Sequence, residues 1–225
     1  MPTVNCVHTN GLLDYKTMLE RQRAAHGAVA SGDMPSTLFL LEHTPTITLG
    51  RNALVEHVLC DSAGLAKAGV KLIATDRGGD VTYHGPGQLM AYPVLDLNQW
   101  KASVDWYLRT LEETVIHILN AYGLKGERLP GYTGVWVGGA KVAAIGIAIK
   151  HWVSWHGFAL NVNPDMEHWR LIVPCGIKNK PVTSLAQLLP ETPPMEDVID
   201  KCIAAFQEVF ACEISETTID RVDKT

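Results

Sequence analysis

Three segments of the chain carry residue types that can do chemistry together. They are Arg77-Gly-Gly-Asp-Val-Thr-Tyr-His-Gly-Pro-Gly-Gln88, Lys141 directly after a Gly138-Gly139 pair, and Pro174-Cys175-Gly176. A thiol attacks a carbonyl as its thiolate, and at its ordinary pKa of about 8.5 only a few per cent is ionised at neutral pH. Lowering that value by about two pH units takes roughly 2.7 kcal/mol of differential stabilisation, which a partly desolvated ammonium supplies. Pro174 and Gly176 favour a turn, so Cys175 is presented by a loop, and this context leaves two readings open: a nucleophile or a buried structural cysteine.

Lys141 is the candidate cation. It enters the apolar run Val-Ala-Ala-Ile-Gly-Ile-Ala-Ile, where strict alternation places it on one face with Ala143, Ile145 and Ile147. A lysine on such a face sits at the sheet rim with its head in water or is poised in a pocket. The small residues Ala143, Ala144, Gly146 and Ala148 leave room for a slender apolar ligand, or equally for tight packing.

The segment from Arg77 to Gln88 holds four glycines, a proline, an arginine and a histidine in twelve residues. It matches neither a phosphate loop nor a dinucleotide turn. Its fixed polar groups point to a rigid ligand-binding loop. His84 and His156 both sit beside glycines, and His43 ends a strand. None has the spacing of a zinc site, so a hydrogen-bonding role in a pocket and a plain satisfied histidine remain the two readings.

The elements that must hold these residues are read from periodicity and punctuation. Residues 14–30 read as a helix, 37–42 and 46–49 as strands around Pro45, and 70–75 as a strand after a short helix capped by Asp61 or Ser62. A strand over 89–95 follows the glycine-rich loop. Ser103 caps the clearest helix, with Val104, Leu108, Leu111, Val115, Ile118, Leu119 and Tyr122 on one face and Gly123 as its stop. Strands over 133–137 and 140–149 flank the Gly138-Gly139 hairpin turn, and 152–162 continues as strand. Thr183 or Ser184 caps a short helix, and 195–211 forms a last amphipathic one. Interspersed strands and helices with a hairpin give a mixed α/β (α+β) single domain over residues 1–225.

The 225 residues are 47% hydrophobic with a net charge of −5, which argues against nucleic acid as a partner. No run approaches the roughly 18 apolar residues of a membrane span. Met1 to Leu12 lacks the layout of a signal peptide. The chain is therefore read as cytoplasmic, with an organellar matrix open to a chain that has lost a transit peptide. Five scattered cysteines, Cys6, Cys60, Cys175, Cys202 and Cys212, make no disulfide framework. All but Cys175 read as structural.

In combination these segments resemble the lipoyl(octanoyl) transferases. The likeness covers the Arg77–Gln88 segment, Tyr92-Pro93, Leu95-Asp96-Leu97, Thr133-Gly-Val-Trp136, Lys141, Ala144-Ile-Gly146, His156-Gly-Phe-Ala-Leu-Asn161, Pro174-Cys-Gly176 and Val182-Thr-Ser-Leu185. It implies the catalytic fold of biotin and lipoate protein ligases. It implies an acyltransferase that moves octanoyl from acyl carrier protein to a lysine of a lipoyl domain, the first step of protein lipoylation, through a thioester on cysteine. Cys175 is then the nucleophile and Lys141 the residue that activates it, with no cofactor and no metal. The acyl site is implied at Arg77, Gly78, Gly79 and Asp80, continuing through Val81, Thr82, Tyr83 and His84. Ala144, Ile145 and Gly146 join it, as do Gly157, Phe158 and Ala159, with His156 in support.

The donor implied is octanoyl-acyl carrier protein. The acceptors implied are the lipoyl domains of 2-oxoacid dehydrogenase E2 subunits and the glycine cleavage H protein. Trp155 stands where the family pattern leads one to expect a smaller aromatic residue, which bears on fine pocket shape. Two other functions fit the same elements: an ATP-dependent lipoate or biotin ligase, which needs no cysteine nucleophile, and a non-catalytic acyl-binding module. An acidic carrier would need a basic patch, for which Arg51, Arg128, Lys150, Arg170, Lys178 and Lys180 are the candidates.

Overall fold

The computed structural model describes residues 1–174 and 180–221; within the last strand, nothing is described of the side chains at 216–218 and 221. A mixed sheet of eight strands forms the centre, in the order β11-β1-β2-β6-β10-β9-β8-β7. These are β1 (Thr3–Leu13), β2 (Thr37–His43), β6 (Gln88–Val94), β7 (Glu127–Leu129), β8 (Tyr132–Val137), β9 (Ala140–Lys150), β10 (Val153–Asn161) and β11 (Glu213–Arg221). The β1 pairs with β11 and β2 are parallel, and the remaining neighbours are antiparallel. A second sheet of three strands, β4-β3-β5, is built from β3 (Thr46–Leu49), β4 (Lys71–Ala74) and β5 (Val81–His84).

Both faces of the large sheet are covered, which is why its central strands are apolar throughout. In β2, Leu38 and Leu40 enter one core while Phe39 and Leu41 enter the other. The first core packs under α3 (Val104–Asn120) and α5 (Met195–Phe210), the second against α1 (Tyr15–Ser31). The helices begin and end where their caps require. Asp14 accepts from the amides of Lys16 and Thr17, and Gly32 closes α1 in the left-handed region at φ 81°. Ser103 accepts from Trp106 N. Asp61 caps α2 (Ser62–Lys67), and Ser184 precedes α4 (Leu185–Leu188). Among the described residues no helix is long and apolar enough to cross a membrane.

The structure departs from the sequence reading at several points. β1 and β11 form the parallel edge of the sheet, and their polar composition gave no strand signal. Val81–His84, read as loop, is strand β5. On α3 the buried stripe runs through Tyr107, Leu111, Val115, Ile118 and Leu119, while Val104 is half exposed. Finally, the pairing of β8 with β9 slips between Val135 and Trp136, so Val142 is an extra residue in β9. That bulge breaks the alternation predicted for Lys141: Val142 and Ala143 both enter the core under α3.

Candidate active site

The glycine-rich loop is stitched to both sheets. Gly78 N donates to Ile147 O of β9 at 2.8 Å. Residues 50–52 donate to the carbonyls of Asp80, Arg77 and Gly79 in turn, at 3.0–3.1 Å. Arg77 is 6% exposed and braces the loop from within. Its Nη2 donates to the carbonyls of Thr48 and Asp80, both at 2.7 Å, and Nη1 to Gly78 O at 3.0 Å. The approach needs glycine at position 50, where a Cβ would meet Gly79 O at 2.3 Å.

Between this loop, β9 and β10 lies a narrow slot of about 440 Å³, counting all space not filled by atoms and the part open to solvent. Arg77, Gly78, Gly79, Asp80, Thr82 and His84 line one wall. Ala144 to Gly146 and His156 to Ala159 line the other. Val81 and Tyr83 do not line it. They alternate to the opposite face of β5 and enter a separate core with Ile47 and Trp169. Tyr15, Met90 and Tyr92 complete the slot. Sequence reasoning did not single out Tyr15 or Met90, which come from α1 and β6 and carry no local signal. Gly157 is required because a Cβ there would sit 2.1 Å from Ala91 O. Trp155 lies outside the slot and donates from Nε1 to Asp76 Oδ1 at 3.4 Å, so its size leaves the lining unchanged.

A wider outer cleft of about 1200 Å³, much of it open to solvent, shares Gly78, Gly79, Asp80, Ile145 and Gly146 with the slot. Lys141 lines this outer part with Tyr132, Val104 and Leu108. The two spaces fix an order: Lys141 at the mouth, the Gly78–Asp80 passage, then His84, Tyr92 and His156 further in. His84 therefore belongs to the inner end, away from Lys141.

Of the two positions the sequence leaves open for Lys141, the structure selects the buried one, at 6% exposure. Its Nζ lies 4.9 Å from the centroid of the Trp136 ring, a cation–π contact. Its stem packs on Gly134, where a Cβ would come within 2.9 Å of Cε. Lys141 N donates to Pro181 O at 2.8 Å, and Thr183 N donates to Lys141 O at 2.9 Å. Cys175 lies outside the described residues, as do Gly176 and Lys178. The chain on either side of it is fixed: Val173 N donates to His57 O at 2.8 Å, and Pro181 is tied to Lys141.

The histidines near the slot are buried and neutral. His43 donates from Nδ1 to Leu13 O at 2.8 Å and accepts from Tyr92 O–H at Nε2, 2.9 Å. Burial pushes its pKa down from 6.5 to about 4. His84 is held well below its ordinary value by burial, with His43, Arg77 and His156 adding to the effect. Burial also lowers His156, outweighing Asp76, which accepts from its Nε2 at 2.8 Å. Cys6 and Cys212 are buried thiols pushed up to about 12 and about 11, and Cys202 is fully buried with its pKa raised.

A stability consequence follows from His43. Its folded pKa is depressed, so the unfolded chain takes up the proton first as pH falls. The stability it contributes is complete above pH 6.5 and is lost on the way down to about pH 4. At about 1.4 kcal/mol per pH unit this amounts to roughly 3 kcal/mol. Urea unfolding at pH 7 and pH 4.5 should show a fall of that order beyond what a His43→Gln variant shows. Equal falls in both proteins would refute the assignment.

Two of the candidate docking residues are held in ion pairs. Arg128 is committed to Glu112 and Glu113, and Arg170 to Glu167. Lys180 lies over the Tyr132 ring at the cleft mouth, 5.8 Å from its centroid.

Residues 14–207 match the family model for the lipoyl protein ligase A/B catalytic domain. The chain is 49% identical over 213 residues to an octanoyltransferase of Chloroflexus aggregans, covering 93% of this chain and 96% of that protein. It is 48% identical over 204 residues to one of Gloeobacter violaceus, covering 90% and 89%. Among solved structures, the bipartite lipoate protein ligase of Thermoplasma acidophilum, described with its E2 lipoyl domain, superposes with a TM-score of 0.73 at 18% identity. That match covers 100% of this chain and 89% of the other.

Proposed function

The chain belongs to the lipoyl protein ligase A/B catalytic-domain family and, within it, to the octanoyltransferases, and from that premise we propose that Cys175 and Lys141 carry the transfer between a carrier-bound octanoyl thioester and a lysine of a lipoyl domain. The observation that carries this reading is the position of Lys141. It is buried at the mouth of a narrow, largely apolar slot, and its backbone is bonded to Pro181, six positions after Cys175. That tether keeps the cysteine-bearing segment within a few residues' reach of the lysine.

The chemistry balances without an outside reagent. The Cys175 thiolate, its proton held on the Lys141 ammonium, attacks the carbonyl of the donor thioester. The carrier thiolate leaves and receives that proton from the Lys141 ammonium. One thioester has replaced another at nearly equal free energy, so no ATP is consumed. The acceptor lysine then attacks the acyl-Cys175 carbonyl as a free amine. Lys141 takes the proton released by that amine and returns it to the departing Cys175 sulfur. The amide is more stable than the thioester, so the second step runs forward.

The walls suit the alkyl part of the substrate. Ala144, Gly146, Gly157 and Ala159 leave room for a slender chain, and Met90, Ile145 and Phe158 make the slot apolar. The donor is proposed to be octanoyl-acyl carrier protein, and the acceptors the lipoyl domains of 2-oxoacid dehydrogenase E2 subunits and the glycine cleavage H protein. Incubation with octanoyl-loaded carrier, without ATP, should give a hydroxylamine-labile octanoyl adduct on Cys175 by intact mass and peptide mapping. Transfer that appears only when ATP is added would overturn the reading.

A further inference from the structure

The inner end of the slot is polar where an alkyl chain alone would call for apolar atoms. Thr82 Oγ1, His84 Nδ1 and His156 Nδ1 are buried and have no hydrogen-bond partner among the described residues. All three residues line the slot, and they are 5%, 5% and 1% exposed. Buried polar atoms of this kind are rarely left unpaired.

Their donor and acceptor roles follow from their neighbours. Thr48 Oγ1 accepts from Arg77 Nε at 3.1 Å and from Nη2 at 2.9 Å. Its two lone pairs are thereby used, and its O–H is left to donate to His84 Nε2, 3.2 Å away. A neutral His84 then carries its proton on Nδ1, as a donor. His156 donates from Nε2 to the Asp76 carboxylate, so its Nδ1 is an acceptor. Thr82 Oγ1 can do either. The inner slot thus offers a donor, an acceptor and a group that is both.

We propose that this inner end is a hydroxyl-binding floor, formed by Thr82, His84 and His156, that limits the length of alkyl chain the enzyme accepts. Hydroxylic oxygen is the partner these groups call for: that of water when the chain stops short of them, or that of a chain with a terminal hydroxyl. An alkyl end that reaches the floor displaces water and leaves the groups unpaired, which sites of this type reject strongly. The tautomers are held by Thr48 and Asp76, so the floor is pre-set before substrate arrives. The inference rests on the slot being the acyl site.

The test is a competition among carrier-loaded octanoyl, decanoyl and dodecanoyl groups and their ω-hydroxy counterparts, read as adduct masses on the intact full chain. The wild type should load ω-hydroxydecanoyl or ω-hydroxydodecanoyl about tenfold better than the alkyl chain of equal length. Thr82→Val, which keeps the side chain's shape, and His84→Leu should each lower that ratio several-fold and raise decanoyl relative to octanoyl. Because the readout is a ratio within one sample, partial loss of folded protein does not affect it. An alkyl preference at every length in the wild type overturns the floor, as does a ratio unmoved by Thr82→Val, His84→Leu and His156→Leu alike. Failure of the wild type to load octanoyl on Cys175 overturns instead the acyl-transfer reading on which the floor depends.

Discussion

Cys175→Ala is expected to abolish the octanoyl adduct and to lower transfer to a lipoyl domain by at least about 10³-fold, the scale of loss when a covalent nucleophile is removed. The slot remains in the variant, so non-covalent binding of an octanoyl thioester should survive. That pairing separates loss of the nucleophile from loss of the site. Lys141→Ala tests the other half of the pair by a different readout. If the buried ammonium favours the Cys175 thiolate, the pH midpoint for alkylation of that thiol should rise in the variant, toward the ordinary value of about 8.5. Lys141→Arg should keep the charge but fit badly, because Gly134 and Trp136 already confine the lysine stem. An unchanged alkylation profile in Lys141→Ala would remove the lysine from the proposed mechanism. A surviving octanoyl adduct in Cys175→Ala would remove the cysteine.

The parts of this molecule legible in its sequence are those where one residue type has one physical use. Asp14, Asp61 and Ser103 cap helices because their side-chain oxygens accept amides that a helix cannot otherwise satisfy. Gly138 and Gly139 turn the β8–β9 hairpin because both need positive φ, at 57° and 82°. The cleft residues of the glycine-rich loop were legible for the same reason, since close backbone approach demands glycine. What was hidden depends on long-range pairing. The strand character of Val81–His84 comes from its partner β3, and it sends Thr82 and His84 into the slot while Val81 and Tyr83 leave it. The bulge at Val142 is invisible in an apolar run where every residue suits a strand. Tyr15 reaches the slot, and Thr48 braces Arg77 and His84 beside it, from elements far away in sequence. His57, whose Nδ1 lies 2.5 Å from Asp80 Oδ2 and whose carbonyl holds Val173, had no motif around it.

The largest expected loss of stability lies beside the cleft, at Glu112, a charge on an otherwise apolar helix face. Its side chain is fully buried in α3 and accepts three hydrogen bonds: from Arg109 Nη1 at 2.6 Å, Arg128 Nε at 3.0 Å and Gly134 N at 3.1 Å. These bonds tie α3 to β7 through Arg128 and to β8 through Gly134. Glu112→Ala leaves an arginine pair and a buried amide without their shared acceptor. Breaking a buried ion pair from one side costs about 3–5 kcal/mol. Arg109 is half exposed and Arg128 a third exposed, so both rehydrate in part and the lower end, about 3 kcal/mol, is expected in urea unfolding. Glu112→Gln keeps the shape and an oxygen for Gly134 N, and should cost about half as much. The effect should reach the chemistry as well, because Gly134 is the surface on which the Lys141 stem rests. In Glu112→Gln the alkylation midpoint of Cys175 should move in the same direction as in Lys141→Ala, by a smaller amount. A variant that is destabilised with an unmoved midpoint would make Glu112 a strut of the fold alone, with no part in positioning the lysine.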